Sequence, residues 1–225
     1  MLAVTAAWKL KYPDAFIGVL AMRGVTNPER HPVLDEKKAT LEKALRDRYS
    51  FYDRAGLRAV PVLAAYHAYY RQFKKNYHVQ HQLESVAHKG RNIPRVAALV
   101  EAMFMAELNN LLLTAGHDLD TITLPLRADV ADGTEGYIRL NGEAQTVRAG
   151  DMMIADADGV LSCIVYGPDS RTRIMPETER VLFTVYAPPG IDAIYVERHL
   201  TEICDNVTVV APNASVELLG VMGAT

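Results

Sequence analysis

Apolar side chains recur every three or four residues between Pro94 and Leu112: Val96, Leu99, Val100, Met103, Phe104, Leu108, Leu111 and Leu112. That spacing covers most of one face of a 3.6-residue helix and predicts the longest helix of the chain. Pro94 suits the first helical position, because it has no N–H to lose and its φ is already helical. Gly116 tolerates positive φ and is the expected stop. Glu101, Glu107, Asn109 and Asn110 interrupt the stripe. The two carboxylates argue for a buried core helix and against a membrane span, since an unpaired carboxylate in lipid is costly.

The pattern differs on either side of this helix. Upstream, Ala15 to Val25 reads as a strand rich in β-branched and aromatic residues, with a turn at Thr26-Asn27-Pro28. Asp35 to Ser50 reads as a surface helix with Leu41, Ala44 and Leu45 inward. Val60 to Tyr77 reads as a helix with one aromatic side: Tyr66, Tyr69, Tyr70, Phe73 and Tyr77. Downstream of Asp120 the chain turns to strands. Ile122–Arg127 is the first, and Tyr137–Leu140 and Glu143–Val147 form a hairpin about Asn141-Gly142, a strong type I′ signal. Asp151–Asp156 and Val160–Gly167 pair across Ala157-Asp158-Gly159, and Val181–Ala187 is a short buried strand. Ile191–Cys204 is a closing helix and Val207–Val210 a last strand. Together these elements predict an α+β fold, with helices layered on an antiparallel or mixed sheet, as one domain over residues 1–225.

Composition is that of an ordinary soluble chain, 49% hydrophobic and 23% charged. Cys163 and Cys204 are far apart in sequence and fit no metal pattern, so buried free thiols in a reducing cytoplasm are expected. No secretory leader pattern is legible, which agrees with a cytoplasmic location. The net charge of −3 hides an asymmetry: residues 1–95 hold 17 Lys+Arg and 8 Asp+Glu, and residues 96–225 hold 7 and 19. The basic half points to an anionic partner; mutual attraction of the two halves is the alternative. Arg71, Lys74, Lys75, Lys89, Arg91 and Arg95 are the core of that basic half, with Glu84 the one carboxylate among them. Basic residues interleaved with aromatics can track a nucleic-acid backbone and stack on bases. Helical spacing also allows those aromatics to be core.

No nucleophile elbow, phosphate loop or dinucleotide fingerprint is present. His78, His81, His88 and His117, with Asp118 and Asp120, match no common zinc spacing, and neither a metal nor a cofactor is expected. A pocket of small residues with backbone donors, holding an ester and positioning a water, would leave no such motif.

Four blocks resemble the B3/B4 domain of the β subunit of bacterial phenylalanyl-tRNA synthetase, standing alone. They are Leu83-Glu84-Ser85 with Lys89–Pro94; Leu99-Val100-Glu101 running to His117–Asp120; Leu126-Arg127-Ala128 with Gly133-Thr134-Glu135; and Gly150–Asp156 followed by Pro176-Glu177-Thr178 and Val181–Ala187. The likeness spans residues 70–204 and is weaker upstream. It implies a layered β/β/α domain, and the activity of an editing site, hydrolysis of tyrosine wrongly attached to the phenylalanine tRNA. The family pocket falls near Met103, Ala115, Gly167, Thr184 and Ala187. The synthetase has threonine, histidine and glutamate in place of Met103, Ala115 and Thr184, and the glutamate reads the tyrosine hydroxyl, so a different specificity is implied. Glu84, Asn109, Asn110, His117 and Arg127 are candidate polar contacts for the aminoacyl group or terminal adenosine. The resemblance thus implies a trans-acting aminoacyl-tRNA hydrolase with water as nucleophile. A non-catalytic RNA-binding module and a pocket protein for an amino acid or metabolite are the alternatives.

Overall fold

The computed structural model describes residues 2–224. Two sheets face each other. The first is four-stranded and wholly antiparallel, with β11 (Ser215–Met222), β2 (Phe16–Arg23), β10 (Arg180–Ala187) and β3 (Thr114–Asp118) in that order. The second is mixed and runs β1 (Leu2–Val4), β4 (Leu126–Val130), β7 (Met152–Ala155), β8 (Val160–Cys163), β9 (Gly167–Pro168), with β1 parallel to β4. A separate hairpin pairs β5 (Gly136–Ile138) with β6 (Ala144–Thr146). Helices α2 (Pro32–Tyr49), α6 (Ala98–Asn110) and α7 (Ala193–Val210) cluster together, with α7 on the outer face of the four-stranded sheet. The fold is α+β. Strands β2 and β10 are covered on both faces, and so they read as near-continuous apolar runs instead of alternating.

The sheets meet across a polar seam. Tyr186 of β10 donates to the Ser162 carbonyl of β8 at 2.9 Å, and its hydroxyl lies 2.7 Å from Ser162 Oγ. His117 of β3 sits between Thr172 Oγ1 at 2.8 Å and Ser162 Oγ at 3.4 Å.

Helix α4 (Pro61–Gln72) closes the end of both sheets, and its aromatic side is core. Tyr66 donates to the Tyr186 carbonyl, Tyr70 to the Ile164 carbonyl at 2.7 Å, and Tyr69 to the fully buried Asp151 at 2.7 Å. Each phenol thereby satisfies its hydroxyl while burying a ring. These rings are unavailable for stacking on bases. The helix stops at Gln72 because Lys74 adopts a left-handed φ of 54°, and a separate helix α5 (His78–Ala87) follows.

Several elements differ from the sequence expectation. Helix α6 begins at Ala98, not Pro94, and its N-terminus is capped from outside. Asn27 Oδ1 accepts the Leu99 N–H at 3.0 Å and the Pro28 carbonyl accepts that of Ala98 at 3.0 Å. Segment 91–97 is held extended by Glu42, which accepts from Ile93 N–H at 2.7 Å, and by Glu101, which accepts from Val96 N–H at 2.9 Å. The stop is Leu111 at φ 60°, whose carbonyl accepts from Tyr77 at 3.0 Å. Gly116 instead lies in β3, where an added Cβ would come 2.8 Å from Ile174 and 3.3 Å from Met103. Residues 207–210 continue α7 and form no strand, because Val207 and Val210 extend the buried face that Ile203 begins. The last strand is β11, whose bulge at Glu217 and exposed outer residues hide its alternation. The strand after Asp120 is displaced to β4 by a single 3₁₀ turn at Leu119–Thr121. The Asn141-Gly142 hairpin closes differently too. Only Gly142 has positive φ, and a turn from Arg139 to Gly142 leads into the Arg139–Glu143 pair, so this is a three-residue loop and not type I′. Helices α1 (Ala6–Lys11) and α3 (Arg54–Ala59) and strands β1 and β3 carry too short or too polar a pattern to be read.

Gly18 on β2 lies so close to α7 that a Cβ there would fall 2.6 Å from Val196 Cγ1. Val196 is β-branched and cannot swing aside. Gly18→Ala is therefore expected to cost about 1–3 kcal/mol by overpacking, read as a lower urea midpoint at unchanged m-value.

Candidate functional site

A cleft of about 470 Å³ opens where several structural units converge. The end of α4, the start of α5 and the break between them supply Tyr70, Lys75, Asn76, His78 and Gln82; α6 supplies Phe104 and Glu107, and β3 supplies Thr114 and Ala115. The β8–β9 turn gives Cys163, Tyr166 and Gly167, the β5–β6 loop gives Arg139 and Asn141, and Tyr186 of β10 completes the wall. Gly167 adopts φ 79°, which lets its backbone turn at the wall, and its carbonyl accepts from Tyr137 at 2.9 Å. A second cavity of about 380 Å³ adjoins the first, between α5, α6 and the Arg91–Pro94 segment. The two share His78, Gln82 and Phe104, so one groove runs from the hairpin loop to Arg91.

Glu107 is the distinctive group of the inner end. It is only 2% exposed, and its Oε2 accepts the Thr114 N–H at 2.9 Å. Its other oxygen, Oε1, takes part in no hydrogen bond among the described residues. Burial pushes its pKa up to about 8, partly offset by the Thr114 N–H, so the carboxyl is largely protonated at neutral pH. Burial and nearby Asp151 push the Cys163 thiol up, away from the nucleophilic thiolate. The cleft wall therefore holds a neutral carboxyl and an inert thiol, with cations at its mouth. Lys75 Nζ stands 5.4 Å from the Tyr166 ring centroid.

Of the residues singled out from sequence, Ala115 and Gly167 line the cleft. Met103 packs beneath Gly116 in the core. Thr184 and Ala187 are fully buried on β10, within the four-stranded sheet. Asn109 and Asn110 turn toward α7, donating to Glu202 at 3.0 and 2.7 Å. His117 is fully buried in the seam between sheets, and burial lowers its pKa to about 3. Arg127 is exposed on β4 and donates to the Asp156 carbonyl at 2.9 Å. Glu84 on α5 accepts from Gln80 at 2.7 Å, outside the cleft. Cys163 is buried and Cys204 half-buried, and both are free. No three or more His, Cys, Asp or Glu side chains converge as a metal site among the described residues. The six basic residues Arg71, Lys74, Lys75, Lys89, Arg91 and Arg95 are all exposed, and none forms an ion pair with a described carboxylate. Lys75 and Arg91 reach the groove itself, one at each cavity. The sequence pattern placed none of Glu107, Gln82, Asn76 and Tyr186 in a site; a carboxylate interrupting an apolar helical run was the available signal for the first, and Glu101 shares it.

The sequence matches the B3/4 domain over residues 64–203. The chain belongs to the B3/4 domain family. The matched region of this B3/4 protein contains the whole cleft, from the α4–α5 break to Tyr186. A solved structure, an N-terminal fragment of the phenylalanyl-tRNA synthetase β subunit from Pyrococcus horikoshii, aligns with 96% of this chain at 13% identity and a TM-score of 0.49. The chain spans 50% of that fragment's length. No curated protein matches it. No helix among the described residues is long and apolar enough to cross a membrane.

Proposed function

We propose that this B3/4 protein is a trans-acting hydrolase of aminoacyl-tRNA. The observation that carries the proposal is the two-chambered groove with a cation at each chamber, Lys75 and Arg91, that forms no ion pair with a described carboxylate. The terminal adenosine enters along Phe104, a half-buried aromatic shared by both chambers, and the aminoacyl group occupies the inner cleft. The exposed lysines and arginines meet the phosphates. Water attacks the ester carbonyl; the new bond is water oxygen to carbonyl carbon, the bond to the ribose oxygen breaks, and free amino acid and tRNA leave. Tight placement of ester and water supplies the acceleration, which suits a cleft whose thiol is held protonated. That same lack of an activated nucleophile favours a second reading, an aminoacyl-tRNA binder without turnover.

Deacylation of a panel of mischarged tRNAs, against a heat-killed control, separates these readings. Selective loss of one amino acid is the expected result. Binding at low salt with no deacylation leaves the binder, and no binding removes both. Lys75→Gln with Arg91→Gln is expected to weaken binding across all tRNAs, lowering the slope of log affinity against log salt by about 0.7–0.9 for each phosphate that is no longer neutralised.

A further inference from the structure

Glu107 holds an unused hydrogen-bonding oxygen at the closed end of a cleft, and neither the fold nor the hydrolytic proposal needs it there. Its Oε2 is occupied by the Thr114 N–H, which fixes the carboxyl plane. Its Oε1 takes part in no hydrogen bond among the described residues and is not one of the fully buried unpaired atoms, so it faces the cleft that Glu107 lines. A carboxyl buried in a helix interior costs stability unless something requires it. The groups that face it from neighbouring elements supply no counter-charge in contact. Tyr66, Tyr70 and Tyr77 are un-ionised phenols raised by burial and committed to backbone carbonyls. His78, Cys163, Tyr166 and Tyr186 line the cleft without a hydrogen bond to it, and the cations Lys75 and Arg139 lie on its walls with no ion pair to it.

We propose that Glu107 is the receptor for the ligand's primary ammonium group, so that the site takes aminoacyl groups with a free α-amine and rejects N-acylated ones. The inference rests on the aminoacyl reading of the cleft and names what that site requires. A cationic amine arriving at Oε1 provides the charge that the pocket lacks. The carboxyl then ionises, one proton passes to solvent, and the ammonium and carboxylate pair within the water-poor end of the cleft. An acetylated amine carries no charge and one N–H donor in place of the ammonium's three. It leaves the carboxyl unpaired, and a site built around a polar partner rejects such an analogue strongly. Affinity for the amine should rise as pH approaches 8, where the free carboxyl begins to ionise unaided.

The test uses four probes on the intact protein: 3′-aminoacylamino-adenosines of alanine, phenylalanine and tyrosine, whose amide replaces the labile ester; their N-acetyl counterparts; the simple amino-acid amides; and adenosine. Calorimetric titration in two buffers of different ionisation heat reports affinity and protons released together. The expected result is binding of the free-amine probes at least about 100-fold tighter than their acetylated forms, with proton release near neutral pH. Glu107→Gln retains an acceptor for the Thr114 N–H and is expected to abolish both the discrimination and the proton release. Equal binding of amine and N-acetyl probes overturns the ammonium site and leaves the aminoacyl-tRNA reading standing, whereas amine discrimination without proton release keeps the site with Glu107 already ionised. Binding of the amino-acid amides but not of the adenosine-linked probes keeps the ammonium site and overturns the tRNA reading. Absence of binding by every amine overturns the inference outright. If Glu107→Gln does not fold, the ratio of amine to N-acetyl affinity in the unaltered protein still decides.

Discussion

Glu101→Ala is expected to destabilise this protein by about 3–5 kcal/mol, the usual cost of stranding one member of a buried ion pair. Glu101 Oε2 lies 2.5 Å from Lys38 Nζ, and the side chains of both are only 6% exposed. Removing the carboxylate leaves a buried ammonium whose one remaining anionic neighbour is Asp35 at 3.3 Å, itself a quarter exposed. It also frees the Val96 N–H that Glu101 Oε1 accepts. The pair ties α2 to α6, and the Val96 bond shapes the segment that walls the second chamber of the groove. Urea denaturation measures the loss. Lys38→Met combined with Glu101→Met should recover most of it, since two apolar residues of similar size leave no unpaired charge. A double variant as unstable as Glu101→Ala would mean that the Val96 bond, not the charge pair, carries the effect. In either outcome the proposed tRNA binding should be weaker in Glu101→Ala at temperatures where it is folded, because residues 91–97 lose one of their anchors.

The same carboxylates show where sequence patterns are informative and where they stop. Periodicity placed the central helix and the buried strand Val181–Ala187, because burial on a face is a local property of spacing. It missed the start of α6 because that start is set by Asn27, Pro28 and Glu42, which are 50 or more residues away in the chain. It assigned Gly116 a turn because positive φ at Leu111 is invisible in sequence; the strain there is offset by bonds from Tyr77, to its carbonyl, and by Tyr66, which accepts the Leu113 N–H at 2.8 Å. The aromatic side of residues 60–77 was legible as a stripe, but only the structure decides that the phenols are spent on the sheet ends. The site followed the same division. Small residues such as Ala115 and Gly167 come from the resemblance, whereas Glu107 becomes notable only once β3 folds back to give Thr114 N–H to one oxygen and open space to the other.

Replacing that carboxyl should change how stability depends on pH. In the folded protein Glu107 titrates near 8, against an ordinary value of 4.5. The fold therefore binds this proton more tightly than the unfolded chain does. Its favourable contribution is complete below about pH 4.5 and falls by up to about 1.4 kcal/mol per pH unit as pH rises toward 8, levelling off beyond. Glu107→Gln cannot titrate, so its stability relative to the unaltered protein should climb steadily between pH 5 and 8. The buried histidines act in the opposite sense. His117 and His199 are held neutral by burial with pKa values near 3, so stability is lost as pH falls below 6.5, when the unfolded chain gains protons that the fold refuses. Both proteins share that acid limb, and the difference between their urea midpoints isolates the carboxyl. Parallel curves from pH 5 to 8 would mean that Glu107 is already ionised in the fold, and an ionised carboxylate would bind an ammonium without releasing a proton. A widening gap instead establishes the un-ionised carboxyl at the closed end of the cleft, the condition under which a cationic amine is the ligand best able to stabilise this site.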